Sequence, residues 1–349
     1  MGDFQKYIIS NKATIKEALI ALNNISGEAL TLFIINNNNE MVGTLTDGDI
    51  RRKLINNCSL DDQVSEAMNT NYHYLKEKEI DIFKIKEFKQ KGINLLPLLN
   101  EKNEIINIYN LKSKKSILPI DAIVMAGGKG ERLRPLTEKT PKPLLKIGDK
   151  AIIDYNIERL LSYGLENISV TVNYLKEQIE SHFCEPKGEI KIKCVREPNF
   201  LGTMGSVKFV KSIYNDTVLV MNSDLFTNVD YEDFYLHFRS HNADMSVASI
   251  PYSHYIPYGI FDIDGREIKG VKEKPTYNYY ANGGIYLIKK ELLDLIPLGH
   301  FFDATDFLDL LITKGFKVIR YPLTGYWIDI GKHEDYKKAQ ELIKHIYAK

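Results

Sequence analysis

The chain has 349 residues, 44% hydrophobic and 26% charged, a composition that supports buried cores and excludes a disordered chain. Basic and acidic residues number 46 each, so net charge gives no pull toward nucleic acid or an acidic membrane, and any anion must be held by a local patch. No apolar run approaches the roughly 20 residues of a spanning helix, and three cysteines outside any Cys-x-x-Cys spacing argue against a disulfide framework or structural zinc.

Residues 1–16 carry neither the basic flank nor the apolar stretch of a signal peptide, so the expected location is cytoplasmic. The first 118 residues contain a repeat at an offset of 64. Residues 32–35, a polar turn and residues 39–42 correspond to residues 96–99, a polar turn and residues 103–106. Each copy reads as a β-hairpin preceded by a helix, over 15–22 and 82–88, which suggests a paired α+β module with pseudo-two-fold symmetry. Residues 112–119 read as a linker between a domain of 1–118 and one of 119–349.

From Ile120 the texture becomes α/β. Apolar runs predict strands over 122–126, 168–172, 190–195 and 217–221, and helical patterns cover 152–161, 175–183 and 203–213. This alternation implies a mostly parallel sheet covered on both faces. Beyond Asp244 the pattern is β-rich, with a hairpin expected at Asp264-Gly265, and the chain closes with a polar helix over 335–346.

Chemistry concentrates after the first of these strands, in Ala126-Gly127-Gly128-Lys129-Gly130-Glu131-Arg132 and the following Pro141-Lys142-Pro143-Leu144. Glycines let backbone N–H groups approach a phosphate, and residues 127–146 carry six basic side chains against two acidic ones. The string is neither a Walker loop, lacking Gly-Lys-Ser/Thr, nor a dinucleotide fingerprint, lacking the third small residue. Asp224 follows a strand, at the carboxyl end where open α/β sheets bind ligands. His237 and His241 are spaced for a metal but have no third ligand nearby, and read as a polar helix face.

The glycine-rich string resembles the signature of the sugar-1-phosphate nucleotidyltransferases, and further motifs follow in family order over residues 120–346. These are Leu201-Gly202-Thr203-Met204-Gly205, Met221-Asn222-Ser223-Asp224, Glu273-Lys274-Pro275, Asn282-Gly283-Gly284 and Trp327-Ile328-Asp329. The resemblance implies a Rossmann-like mixed sheet and a reaction joining a sugar 1-phosphate to the α-phosphate of a nucleoside triphosphate, with release of pyrophosphate. Arg132 and Lys142 would neutralise phosphate charge, and Ala126, Gly127, Gly128, Gly130, Gly202 and Thr203 would bind the nucleotide. Asp224 and Asp329 would hold Mg²⁺, a hard ion suited to carboxylate oxygens. Gly259, Glu273, Lys274, Asn282 and Gly283 would meet the sugar phosphate. A nucleotide-sugar glycosyltransferase is disfavoured because Asp224-Leu225-Phe226 lacks the second Asp of an Asp-x-Asp motif. A non-catalytic nucleotide sensor would not need the four charged groups together.

The first repeat ends in Thr44-Leu45-Thr46-Asp47-Gly48-Asp49, and the two copies resemble a CBS pair. That likeness implies a regulatory purine nucleotide at Thr46 and Asp49, whereas Asn110 and Ser113 stand at the offset positions, leaving at most one site. The alternative is a module used only for dimerisation, and a homo-oligomer is expected. A CBS pair joined to such a transferase looks most like the glucosamine-1-phosphate guanylyltransferases of legionaminic acid synthesis. Mannose or heptose 1-phosphate, and uridylyl or cytidylyl transfer, remain alternatives. No nucleic-acid or membrane partner is expected.

Overall fold

The computed structural model describes residues 4–27, 29–77, 79–188 and 190–347. The chain divides into one unit of Met1–Leu118 with Ser162–Gly164 and a second of Pro119–Leu161 with Leu165–Lys349.

Unit 1 runs β1 (Ile8–Ser10), α1 (Ile15–Asn24), β2 (Thr31–Ile35), β3 (Met41–Thr46), α2 (Asp47–Ile55), β4 (Leu75–Lys76), α3 (Ile82–Gln90), β5 (Leu95–Leu99) and β6 (Ile105–Asn110). It forms two three-stranded sheets, β1-β2-β3 and β4-β5-β6, each a hairpin with one parallel strand added. The repeat extends to single atoms. Asn36 Nδ2 donates to Glu40 at 2.7 Å and Asn100 Nδ2 to Glu104 at 2.7 Å, while Asn39 and Asn103 both turn left-handed, at φ 63° and 61°. Asparagine tolerates that region better than most residues. Capping boxes start α1 at Thr14 and Glu17, and α2 at Thr46 and Asp49. Among the described residues α2 has no counterpart in the second copy. There Asn110 Oδ1 accepts from the Lys112 N–H at 3.0 Å and the chain turns instead of entering a helix.

Unit 2 begins with β7 (Asp121–Ala126), the small hairpin β8 (Lys146–Ile147) and β9 (Lys150–Ala151), α4 (Ile152–Ser162), β10 (Ile168–Val172), α5 (Lys176–His182), β11 (Lys193–Arg196) and α6 (Gly202–Gly205). It continues with β12 (Thr217–Asn222), β13 (Leu225–Thr227), α7 (Tyr231–Ser240), β14 (Met245–Tyr255), β15 (Ile260–Asp264), β16 (Glu267–Lys272) and β17 (Thr276–Lys289). It ends with α8 (Ala304–Thr313), β18 (Val318–Pro322), β19 (Trp327–Asp329) and α9 (His333–Tyr347).

Seven strands form one sheet in the order β11-β10-β7-β12-β17-β14-β18. The first four are parallel, β14 and β18 are parallel, and β17 runs against both of its neighbours, so the sheet is mixed. All six residues of β7 are buried, as a central strand covered on both faces requires. On one side of the sheet, Ile123, Val220, Met245 and Ile288 pack with Phe307 and Leu311 of α8.

Two expected elements differ. The helix over 203–213 is only α6 followed by a short 3₁₀ turn, Ser206–Phe209. Val210 turns to extended backbone, at φ −76° and ψ 110°, and the following chain is held to the sheet where the buried Asp121 carboxylate accepts the Asn215 N–H at 2.8 Å and the Tyr214 N–H as well. The strand expected from 190 begins at Lys193, because Ile190 is tied back to Lys187 in a turn. The hairpin at Asp264-Gly265 forms, as β15 paired with β16. No helix among the described residues is long and apolar enough to cross a membrane.

Candidate active site

β7 and β12 lie side by side with Met125 opposite Asn222, so their carboxyl ends deliver the glycine loop and the Asn222–Asp224 segment to one place. The Ser223 N–H donates to Met125 O at 3.1 Å, tying the two together. The glycines of the loop are needed for different reasons. Gly130 has φ 62°, and its carbonyl accepts the Thr137 hydroxyl at 2.8 Å. Gly128 faces open space, whereas a Cβ on Gly127 would strike Glu197 Oε1. Of the two adjacent glycines, Gly127 has no room for a side chain, and Gly128 has open space on that side.

Asp224 and Asp329 come together through a short antiparallel ladder, in which β13 places Leu225 opposite Asp329 of β19 and the Ile330 N–H donates to Asp224 O at 3.1 Å. Lys142, on a 3₁₀ turn begun by Pro141, contacts Asp224 Oδ2 with its ammonium and lies 3.8 Å from Asp329 Oδ1. Burial, reinforced by the neighbouring Asp224 charge, raises the Asp329 pKa from its ordinary value, against the opposing pull of Lys142 and Arg132. Arg132 itself is exposed, and its guanidinium covers Gly331, where a Cβ would lie 3.3 Å from it.

Asp224 Oδ1 is buried and has no hydrogen-bond partner. No cluster of three or more His, Cys, Asp or Glu side chains among the described residues forms a closed metal cage. An orphaned carboxylate oxygen beside a second carboxylate fits Mg²⁺, which keeps waters and takes substrate phosphates as further ligands. His237 of α7 and His241 just past its end have ring centroids 4.3 Å apart, tilted by 33°, and belong to no such cluster.

A cavity of about 550 Å³ gathers Ala126, Gly127, Gly128, Gly130, Arg132, Lys142, Gly202, Thr203 and Asp224, with Gly331. Gly202 is left-handed, at φ 76°. Thr203 is engaged structurally: its N–H donates to Asp303 at 2.9 Å and its hydroxyl accepts the Ala304 N–H at 2.8 Å, at the start of α8. Asp329 meets the cavity through Lys142 without lining it.

The expected sugar residues stand elsewhere. Gly259, Glu273 and Lys274 are exposed at the ends of the β15–β16 hairpin, with Glu273 Oε2 3.0 Å from where a Gly259 Cβ would sit. Asn282 folds onto its own strand, accepting the Gly284 N–H at 2.9 Å and donating to the Tyr286 hydroxyl at 2.9 Å. Gly283 is buried and its carbonyl accepts the Trp327 indole N–H at 2.9 Å. None of these five lines the cavity.

Sequence reasoning missed Glu197 and Phe200, which do line it. Glu197 is 3% exposed, accepts the Leu201 N–H through Oε2 at 3.2 Å, and has its pKa pushed up to about 7 by burial. The signal available was an acidic residue at the end of β11, immediately ahead of the Gly202 loop.

The fold and this cavity define a nucleotide-handling α/β enzyme, and comparison with known proteins specifies the class. The chain belongs to the nucleotidyl transferase family, whose model matches residues 121–345. It is 29% identical over 229 residues to the D-glycero-alpha-D-manno-heptose 1-phosphate guanylyltransferase of Aneurinibacillus thermoaerophilus, covering 65% of this chain and 99% of that one. It is 28% identical to the mannose-1-phosphate guanylyltransferase of Mycobacterium tuberculosis, covering 65% of this chain and 66% of that one. It is 29% identical to the UTP--glucose-1-phosphate uridylyltransferase of Synechocystis, covering 62% of each. The chain thus spans slightly less than two thirds of the last two relatives. Among solved structures, HddC from Yersinia pseudotuberculosis superposes with a TM-score of 0.52 at 27% identity, covering 64% of this chain and 99% of that chain. HddC has also been solved with GMP-PN.

Proposed function

We propose that unit 2 transfers GMP from GTP to a sugar 1-phosphate, with glucosamine 1-phosphate as the acceptor, and releases pyrophosphate. The observation that carries the reaction type is Lys142 held against Asp224 and near Asp329 beside an open glycine loop. Transfer between phosphates needs positioning and charge neutralisation more than a covalent nucleophile. Arg132 takes the charge of the departing pyrophosphate, Lys142 meets the α-phosphate, and the backbone at Gly128 and Gly130 cradles the triphosphate. A Mg²⁺ at Asp224 and Asp329 would neutralise phosphate oxygens. Glu273 and Lys274, with Gly259, Asn282 and Gly283, receive the sugar phosphate, which requires the β15–β16 arm to meet the cavity.

Guanine is supported by Glu197. The carbonyl oxygen of its carboxyl can accept from a guanine N–H, and its carboxylate, formed as pH rises through about 7, is acceptor-only, as the adjacent N1–H and N2–H₂ donors of guanine require, whereas uracil offers one donor flanked by two acceptors. Glucosamine is supported by the pairing of this domain with a CBS-like module. Heptose and mannose acceptors are the second reading, favoured by the guanylyltransferases the chain resembles. In unit 1, a purine nucleotide at Thr46 and Asp49 would regulate the enzyme, and a homo-oligomer is proposed as the assembly.

The test is a matrix of nucleoside triphosphates against sugar 1-phosphates, scored by pyrophosphate. Preference for GTP with glucosamine 1-phosphate is expected, and Glu197→Gln should erode the GTP preference relative to UTP. Preference for UTP with N-acetylglucosamine 1-phosphate rejects the substrate pair.

A further inference from the structure

We propose that Lys142 is the internal counter-ion of the Asp224–Asp329 pair and competes with a divalent cation for it, so that metal entry and release of the ammonium form one exchange. The inference rests on the metal reading of these carboxylates given above. Three observations carry it.

The first is occupancy of the same oxygens. The Lys142 ammonium touches Asp224 Oδ2 and stands 3.8 Å from Asp329 Oδ1, so it is the cation that both carboxylates already face. The second is burial. The Lys142 side chain is only 10% exposed, and a buried ammonium beside two carboxylates holds its charge through them rather than through water. The third is an asymmetry within Asp224. Oδ2 is paired with the lysine while Oδ1 is buried without a partner, so the lysine satisfies only half of a group suited to a stronger ligand.

An ammonium on Asp224 Oδ2 and a hydrated divalent ion drawn to Oδ1 of the same carboxylate and to Asp329 would be crowded together, and they repel by charge and by volume. Entry of the ion therefore turns the ammonium away. The turn begun by Pro141 limits backbone movement, so the side chain alone must swing. The cavity it lines beside Gly128 and Arg132 is the space open to it, and this is where triphosphate oxygens would lie. The same exchange would then load the metal and aim the lysine, discouraging either half from being in place without the other.

The test uses the full chain and Mn²⁺ as the probe, without nucleotide, with bound ion counted by electron paramagnetic resonance of the free ion. Lys142→Met should bind Mn²⁺ at least about tenfold more tightly than the wild type, because the ion no longer displaces a cation. Lys142→Arg, which keeps the charge, should not show this gain, and Asp224→Asn in the Met background should abolish it. As a measurement independent of any variant, native acetylation read by peptide mass spectrometry should be several-fold faster at Lys142 with Mg²⁺ present, with distant lysines unchanged. Equal or weaker Mn²⁺ binding by a folded Lys142→Met, or acetylation at Lys142 indifferent to Mg²⁺, overturns the exchange. Absence of any Mn²⁺ uptake by the wild type, with or without GTP, overturns the metal reading itself.

Discussion

Asn156 clamps the backbone on both sides of Asp224: its Nδ2 donates to Ser223 O at 3.2 Å and to Leu225 O at 2.9 Å. It sits on the face of α4 that otherwise buries Ile152, Ile153, Ile157 and Leu160, and it is 2% exposed. A polar side chain in that row costs stability unless it is bonded, and here the bonds are spent on holding one carboxylate.

Asn156→Leu should leave the two carbonyls unpaired, costing about 1–3 kcal/mol. The Mg²⁺ concentration for half-maximal turnover should rise as well. A role confined to packing would lower the melting temperature and leave the Mg²⁺ dependence where it was, so the two are measured together.

Gly127→Ala should destabilise the protein and impair turnover, because the new Cβ meets the Glu197 carboxylate. Combined with Glu197→Ala, much of the stability should return, since the obstructing group is gone. A double-mutant cycle by denaturant unfolding checks this, and additive costs would contradict the contact.

Glu197 makes stability fall with rising pH. Its pKa is near 4.5 as an ordinary glutamate and about 7 in the fold, so between these values the unfolded chain has lost the proton that the folded chain keeps. The neutral form suits the buried site, and the destabilisation is complete above about pH 7. Glu197→Gln should therefore flatten that part of the melting-temperature profile and be the more stable protein at pH 8. An unchanged slope between pH 4.5 and 7 would show that Glu197 does not cause it.

Asp49→Ala should lower the stability of unit 1 without any nucleotide, by about 1 kcal/mol, because the carboxylate accepts the Thr46 N–H at 2.9 Å and anchors Arg52. If Thr46 and Asp49 also hold a purine nucleotide, AMP, ATP or GTP should raise the wild-type melting temperature more than that of the variant. The ligand-free comparison separates the cap from the site, and the capping box explains why both residues are present whether or not anything binds.

The centre of unit 2 was legible because its chemistry is written in contiguous strings. Ala126–Arg132 and Asn222–Asp224 begin at the last residues of β7 and β12, whose ends parallel pairing brings to one edge, and Pro141–Leu144 and Gly202–Thr203 are marked by their own proline and glycine. Glu197 was not legible, since an exposed and a buried glutamate look alike until Gly127 is packed against one of them. The expected helix over 203–213 is overlong for a similar reason: its apolar spacing continues past Phe209, but Val210 is extended and the chain beyond is tied to the distant strand residue Asp121 through the N–H groups of Tyr214 and Asn215. In unit 1 the repeat was visible as spacing, while the absence of a second α2 became plain only from the Asn110 turn.

The β13–β19 ladder has a consequence for how the protein comes into being. Asp224 lies on the connection from β12 to β13, but the carboxylate it works beside arrives on β19, after nearly all the remaining chain has been made. A nascent chain that has passed Asp224 already contains the four parallel strands and the glycine loop, yet it carries only one of the two acids. If the pair holds a divalent ion as proposed, that ability is a late acquisition of synthesis. A polypeptide stalled before Trp327 would have the glycine loop and Asp224 but not Asp329.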